Sequence, residues 1–293
     1  MSETYPLQVE NQRVLPDGYR GPIYIWDVDK TYLSTHFSSL KGIAKIPLEY
    51  AVDKVAIPGM PAILRGLRRG PGPGFACAPL YFVSASPVQM REVLKQKMLL
   101  DGVEHDGIVL KDWVKSITAL RFGRLKEQMG YKLNALLSLK QSHPQADEYL
   151  FGDDYEKDAQ VFSLYARILK GKITERETEE AMIKEKTAPE DRKNIFRLIN
   201  MLPPERGEVK KIFIHLEKGT SPSHFETYGS LVLPVKGAAQ LSLALYQINK
   251  IDGETVREAL KTLPDKNKLN EIIEDALQRK IITGKSLKQL DIQ

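Results

Sequence analysis

Two carboxylates, Asp27 and Asp29, stand one residue apart in the stretch "WDVDKT", with the Thr31 hydroxyl two positions further on. Residues i and i+2 of an extended segment point the same way, so both carboxylates face one pocket. Like charges that close repel, and each needs a partner. Further along come Ser84 in "FVSASP", Lys132 in "GYKLNALL", and Asp153, Asp154 and Asp158 in "GDDYEKD". Together these residue types are what Mg²⁺-dependent phosphoryl transfer through an aspartate needs. One carboxylate acts as nucleophile and a second moves a proton. Hydroxyls and a lysine hold the transferring group, and further carboxylates hold a hard cation that neutralises its charge.

Each fragment alone has a plainer explanation. "DVDKT" and "GDDYEKD" read as acidic turns, Ser84 as a helix-entry residue and Lys132 as a solvated surface lysine. Their order along the chain, each against a strand or helix, is what favours chemistry. An EF-hand loop is ruled out, because it wants Gly at its sixth position and Glu at its twelfth, where Tyr32 and Ser38 stand.

The elements that must position these groups alternate. Short apolar runs end or flank each polar signal: "PIYIWDVD", "APLYFVSA", "DGIVLKD", "DEYLFGDD" and, much later, "KKIFIHLE". Such runs read as strands buried on both faces of a parallel sheet. Helical periodicity lies between them. Ser86 is expected to cap a helix beginning at Pro87, with Gln89 as box partner. Tyr131–Leu139 and Ala159–Leu169 read as helices, "GAAQLSLALYQI" as another, and two more lie near 253–263 and 267–282. The expected fold class is α/β, a Rossmann-like parallel sheet flanked by helices. Ligands of such sheets bind beyond the carboxyl ends of the strands, where the polar residues gather.

The organisation expected is a core over 18–250 and a C-terminal helical extension over 251–293. Within the core, 34–57 form a small cap and 171–209 a charged helical insertion, in which Thr187 caps a helix with Glu190 as partner. "RGPGPGF" (69–75) is a loop, since that density of Gly and Pro suits neither helix nor strand.

The chain has 293 residues, 42% hydrophobic and 28% charged, which is enough to build a sizeable core. Its single cysteine, Cys77, excludes an intrachain disulfide and points to a reducing compartment. No apolar stretch is long enough to span a bilayer, and the polar N-terminus lacks the apolar core of a secretion signal. A cytoplasmic location is expected. The net charge of +5 suits an anionic partner such as phosphate or phospholipid. The basic residues are dispersed, so no nucleic acid is expected. The five histidines make no ligand pair at helical spacing, which argues against zinc, and His215 reads as a satisfied core histidine. Trp113 reads as a core anchor.

The ordered set Asp27-x-Asp29-x-Thr31, Ser84, Lys132 and "GDDYEKD" resembles the haloacid dehalogenase-like phosphatase superfamily. Through "DVDKT", "IPGMPAILRGL", "LYFVSASPVQM", "GIVLKDW", "YKLNALLSL" and "YLFGDDYEKDAQVF" it resembles more closely the catalytic domain of the actin-patch phosphatidate phosphatase family. The chain departs from that family in carrying Lys30 where an acidic residue is usual. The resemblance implies a Mg²⁺-dependent phosphatase acting on a phosphate monoester, with phosphatidate or another lipid phosphate at a membrane surface as substrate. It implies Asp27 as nucleophile, Asp29 as general acid and base, and Lys132 as the balancing charge on both nucleophile and phosphoryl group. Thr31 and Ser84 would bind phosphoryl oxygens. The metal would be held by Asp27, Asp29 through its backbone carbonyl, and Asp153. Asp158 would support the metal water or Lys132, and Asp154 could substitute in either role. Two rivals remain: a silent phospho-switch or partner-binding protein on the same fold, and a phosphotransferase to an acceptor other than water. Asp29 favours turnover over the switch, which would need the phosphate to persist.

Overall fold

The computed structural model describes residues 7–11, 13–34, 51–111, 129–263 and 268–292. The expectations of a cap over 34–57 and of a core anchor at Trp113 fall wholly or largely outside these residues.

Among the described residues, seven strands form one mixed sheet in the order β1-β4-β3-β2-β5-β6-β7. The strands are β1 (Leu7–Asn11), β2 (Pro22–Asp27), β3 (Leu80–Pro87), β4 (Gly107–Lys111), β5 (Asp147–Asp153), β6 (Val209–His215) and β7 (Val232–Val235). All neighbours are parallel except β1, which runs antiparallel along β4. The central strand β2 lies between β3 and β5. The chain steps outward on one side through β3 and β4, then crosses to the other for β5, β6 and β7. The carboxyl end of β2 is thus the point of reversal, the usual ligand position in open parallel sheets.

Alternation along β2 decides which face each residue meets. Trp26 and Val28 enter one buried apolar cluster, and Ile23 and Ile25 enter the other. The first cluster is covered by α1 (Met60–Arg69), α2 (Arg91–Leu100), α7 (Gly237–Gln247), α8 (Gly253–Lys261), α9 (Leu269–Gln278) and α10 (Gly284–Leu290). The second is covered by α3 (Met129–Ser142), α4 (Asp158–Leu169), α5 (Glu175–Lys184) and α6 (Pro189–Asn200). Asp27 follows the parity of Ile23 and Ile25, so it faces the layer that carries α3.

Close backbone approach fixes two contacts between helices. A Cβ on Gly66 of α1 would lie 2.2 Å from Thr255 of α8, and one on Gly130 of α3 would lie 2.7 Å from Asp191 of α6. The α3–α6 contact also carries polar ties: Asn194 Nδ2 donates to Asn134 Oδ1 at 2.6 Å, and Asn134 Nδ2 to Asp191 O at 3.4 Å. The charged stretch over 171–209 forms two helices, α5 and α6, and α6 braces the helix that carries Lys132.

Some local readings change. Ser86 caps nothing: a short 3-10 turn, Val88–Met90, precedes α2, and no side chain caps either element. Helix α5 is capped at Thr174, whose side chain and that of Glu177 form the reciprocal box. Ala188 rather than Thr187 occupies the N-cap of α6, and the Thr187 hydroxyl is buried without a hydrogen-bond partner among the described residues. Pro189 starts that helix, which shifts the boundary by one residue. Strands β1 and β7 are additions to the expected sheet.

Candidate active site

Asp27 closes β2 and is 3% exposed. Its Oδ1 lies 3.0 Å from the Lys132 ammonium, which projects from the first turn of α3 and is 1% exposed. Lys132 also meets Glu156 Oε2 at 2.5 Å and donates to Asp158 Oδ1. One ammonium thus sits among three carboxylates. Burial alone would favour the neutral amine. The surrounding charges of Asp158, Asp27, Glu156 and Asp153 outweigh it and hold the Lys132 pKa well above its ordinary value.

The carboxylates respond the other way. Burial pushes Asp27 well up, against the pull of Lys132. Burial and the nearby Asp158 charge raise Asp153 to about 8. Burial also raises Glu156, with Lys132 opposing. The site is short of positive charge.

Asp158 opens α4, where a carboxylate suits the positive end of the helix dipole. Its Oδ2 accepts from the Asp153 amide at 3.1 Å. Gly152 makes this possible: a Cβ there would fall 2.3 Å from Asp158 Oδ2. Asp153 turns Oδ1 to the amides of Tyr155 and Glu156, at 2.6 and 2.8 Å, while its Oδ2 is buried with no hydrogen-bond partner among the described residues. Asp27, Glu156 and Asp158 each offer an oxygen within 4.8 Å of the others, spacing that suits a metal ion. Asp153 is not in that set.

Asp29 lies past the strand end, half-buried. It accepts the hydroxyls of Ser84 at 3.2 Å and Ser86 at 3.1 Å. Ser84 stands in β3 beside β2, and its carbonyl is in turn held by the Tyr131 hydroxyl. Thr31 donates to Asp27 Oδ2 at 3.4 Å. Hence Asp27, Thr31, Lys132, Glu156 and Asp158 meet in one cluster, and Asp29, Ser84 and Ser86 in a second, joined through the short 27–29 link. Asp154 stands apart. Its two oxygens accept the amides of Lys218 and Thr220, at 2.7 and 2.9 Å, and so fasten the loop after β6.

Two members escaped sequence reading. Glu156 sits in a bend with three aspartates around it, and periodicity does not say which acid of a bend turns inward. Ser86 carried a capping signature, yet its hydroxyl serves Asp29. In both cases the only signal was proximity to a motif residue.

A carboxylate beside a fixed ammonium, a second carboxylate held by hydroxyls, and a set of hard oxygen donors suit a reaction that moves a phosphoryl group. The family model described as the phosphatidate phosphatase APP1 catalytic domain matches residues 23–175, just over half of the chain, and ends before β6. No curated protein and no solved structure matches. With the whole cluster inside that match, the chain belongs to the phosphatidate phosphatase APP1 catalytic-domain family and, as an enzyme, to the phosphoric monoester hydrolases.

Proposed function

We propose that the chain is a Mg²⁺-dependent phosphatase of the haloacid dehalogenase-like type, with a Rossmann-like core, that hydrolyses a phosphate monoester through an aspartyl-phosphate on Asp27. Phosphatidate or a related lipid phosphate, met at the cytoplasmic surface of a membrane, is the proposed substrate. The observation that carries the chemistry is the buried Asp27–Lys132 contact at 3.0 Å within a ring of further carboxylates.

In the first step an oxygen of Asp27 attacks phosphorus, the bond to the leaving oxygen breaks, and Asp29 gives that oxygen a proton. In the second, water attacks the phosphorus of the acyl phosphate, Asp29 takes the water's proton, and the bond to Asp27 breaks to restore its carboxylate. Thr31, Ser84 and Lys132 hold the phosphoryl oxygens. Ser86, joined by Ser84 until that hydroxyl turns to the phosphoryl group, keeps Asp29 aimed at the reacting oxygen.

The residues present fit a hard divalent ion. Asp27, Glu156 and Asp158 supply clustered oxygens, and Asp153 Oδ2 is a buried acceptor without a partner among the described residues. When bound, Mg²⁺ neutralises charge on the transferring phosphoryl group. Asp27 and Asp153 would hold it, with Glu156 or Asp158 beside them and the Asp29 carbonyl as a further donor.

Support for a lipid comes from the family and from the surface next to the motif. Val52 and Val55 are 74% and 62% exposed. Their segment is tied to the stretch just after Thr31, through the Leu33–Ala56 bridge and the Ser34 amide on Val55 O at 2.8 Å. Among the described residues no helix is long and apolar enough to cross a membrane.

The test follows the two aspartates. Given Mg²⁺ and an activated aryl phosphate, Asp29→Asn should accumulate a hydroxylamine-labile phosphoryl adduct, seen by intact mass and absent from Asp27→Asn. Equal turnover in wild type and both variants would sink the site. Wild type that holds the phosphate for hours would turn the reading into a phospho-switch. A phosphatase panel with and without lipid micelles tests the substrate: equal or better rates on soluble monoesters remove the lipid.

A further inference from the structure

Lys30 is held in the left-handed region, at φ 60, a conformation costly to a residue with a Cβ. It stands immediately after Asp29, and it is gripped at three points. Its amide donates to Leu33 O at 2.7 Å. Its ammonium lies 3.0 Å from the centre of the Tyr155 ring. Its carbonyl meets His215 Nδ1 at 2.9 Å. Tyr155 belongs to the loop after β5 and His215 ends β6, so three loops at the carboxyl edge of the sheet converge on this one residue.

We propose that His215 is a positioning residue for Asp29, acting through the Lys30 backbone; the inference rests on the proton-transfer role given above to Asp29. A carbonyl only accepts, so Nδ1 carries the hydrogen and donates it. The ring is fixed for that task. His215 is 6% exposed, pairs in register with Asp153, and accepts the Asp154 amide on its own carbonyl at 3.1 Å. Val28 is fully buried before the turn, and Leu33 is bonded to Val28 O and bridged to Ala56 after it. With both ends of the turn fixed, a φ change at Lys30 must be absorbed by the peptide that carries Asp29. That change would pull the Asp29 carboxylate off the Ser84 and Ser86 hydroxyls. Strain of this kind at a site persists only where surrounding contacts over-determine it, and His215 is one of those contacts. A histidine kept for packing alone would use its ring and not its N–H.

The experiment that tests this compares wild type, His215→Phe, His215→Asn, the double variant Lys30→Gly/His215→Phe, and Asp29→Asn, all with Mg²⁺. Phe keeps the ring and removes the donor, and the Asn amide restores a donor. With an activated aryl phosphate, whose leaving oxygen needs no proton, the His215→Phe burst that phosphorylates Asp27 should stay within about threefold of wild type, and turnover should fall on the order of a hundredfold with KM falling alongside it, so that kcat/KM stays within about threefold. With an alkyl phosphate the burst should fall too. His215→Asn should recover most of the turnover. Lys30→Gly should recover part of it, since glycine adopts φ 60 at no steric cost. Equal losses of burst and turnover on the aryl phosphate, or no loss at all, would overturn the proposal. Should His215→Phe not fold, ¹⁵N shifts of the wild-type imidazole decide: the Nδ1–H tautomer supports the proposal and the Nε2–H tautomer overturns it. Asp29→Asn separates the two claims. If it turns over normally, the proton-transfer reading has failed. If it is inactive while His215→Phe is not, only the positioning role has failed.

Discussion

The Lys132 ammonium stands 3.0 Å from Oδ1 of Asp27, with both side chains withdrawn from water. Neither charge is tolerable there alone, and Glu156 and Asp158 crowd the same ammonium. Removing the lysine should therefore do two separable things. Lys132→Met leaves buried carboxylates uncompensated, at a cost of about 3–5 kcal/mol in metal-free buffer, and it abolishes turnover. Added Mg²⁺ should raise the Tm of Lys132→Met by more than that of wild type, because the ion replaces the missing charge. Thermal unfolding with and without Mg²⁺ reads both effects. Equal Mg²⁺ shifts in the two proteins would mean that the ion does not occupy this cluster.

The place for Asp158 depends on a missing side chain. Gly152→Ala puts a Cβ 2.3 Å from Asp158 Oδ2, and 2.6 Å from its Cβ and Cγ, so the carboxylate must leave the Asp153 amide and Lys132. Overpacking of this kind costs about 1–3 kcal/mol. Displacement near the reacting groups should lower turnover on the order of a hundredfold. Gly72→Ala has nothing within 4 Å of the new methyl and serves as the control. Wild-type kinetics in Gly152→Ala would show that Asp158 can shift without consequence.

Much of this arrangement was legible in the sequence, for a definite reason. Asp27, Ser84 and Asp153 sit in or at the end of strands whose continuous apolar runs announce burial on both faces, so the position of each polar residue followed from its strand. Legibility failed where the chain bends. Glu156 and Asp154 share one acidic turn, yet one faces Lys132 and the other fastens the loop at Lys218 and Thr220. Strand β1 escaped because an edge strand needs little apolar sequence, and "LQVEN" has two apolar residues. Strand β7 escaped because it is four residues long and contains Pro234. Ser86 shows the limit of local rules. Serine before proline and a nearby glutamine predict a cap, but the Asp29 carboxylate, far off in sequence, is the stronger acceptor.

His143 gives the fold a dependence on acidity. Its Nε2 lies 2.6 Å from the Tyr81 hydroxyl. Burial, helped by Lys140 and opposed by Asp106 and a Ser142 backbone bond, lowers its pKa. The unfolded chain, with an ordinary histidine pKa of about 6.5, takes up a proton before the folded chain does. The stabilising contribution is therefore complete above about pH 6.5 and is lost as pH falls toward the lower folded value. Urea unfolding at pH 7.5 and pH 5.5 should show wild type losing more stability on acidification than His143→Gln, which does not titrate. His105, also lowered chiefly by burial, keeps part of the slope in both proteins. An identical pH dependence in the two would assign the whole effect elsewhere.

A second buried ion pair allows a sharper test of what holds this layer together. Lys140 in α3 and Glu148 in β5 are both fully buried, 3.3 Å apart. Lys140 also donates to Ala146 O at 2.7 Å, and the Tyr165 hydroxyl donates to Glu148 Oε1 at 3.1 Å. Glu148 Oε2 has no hydrogen-bond partner among the described residues, and burial, opposed by Lys140, raises the carboxyl pKa. The pair is imperfectly satisfied, so desolvation cancels much of its attraction. Lys140→Met alone strands the glutamate and should cost about 3–5 kcal/mol. Adding Glu148→Leu removes the stranded charge at the price of one lost bond from Tyr165. The double variant should therefore be more stable than Lys140→Met, and close to wild type. Lys132 lies two helical turns earlier on α3, so turnover in the double variant should stay within a few-fold of wild type if α3 keeps its place. A double variant less stable than the single one would mean that the pair contributes net stability, and that the unpaired Oε2 finds a partner such as water in solution.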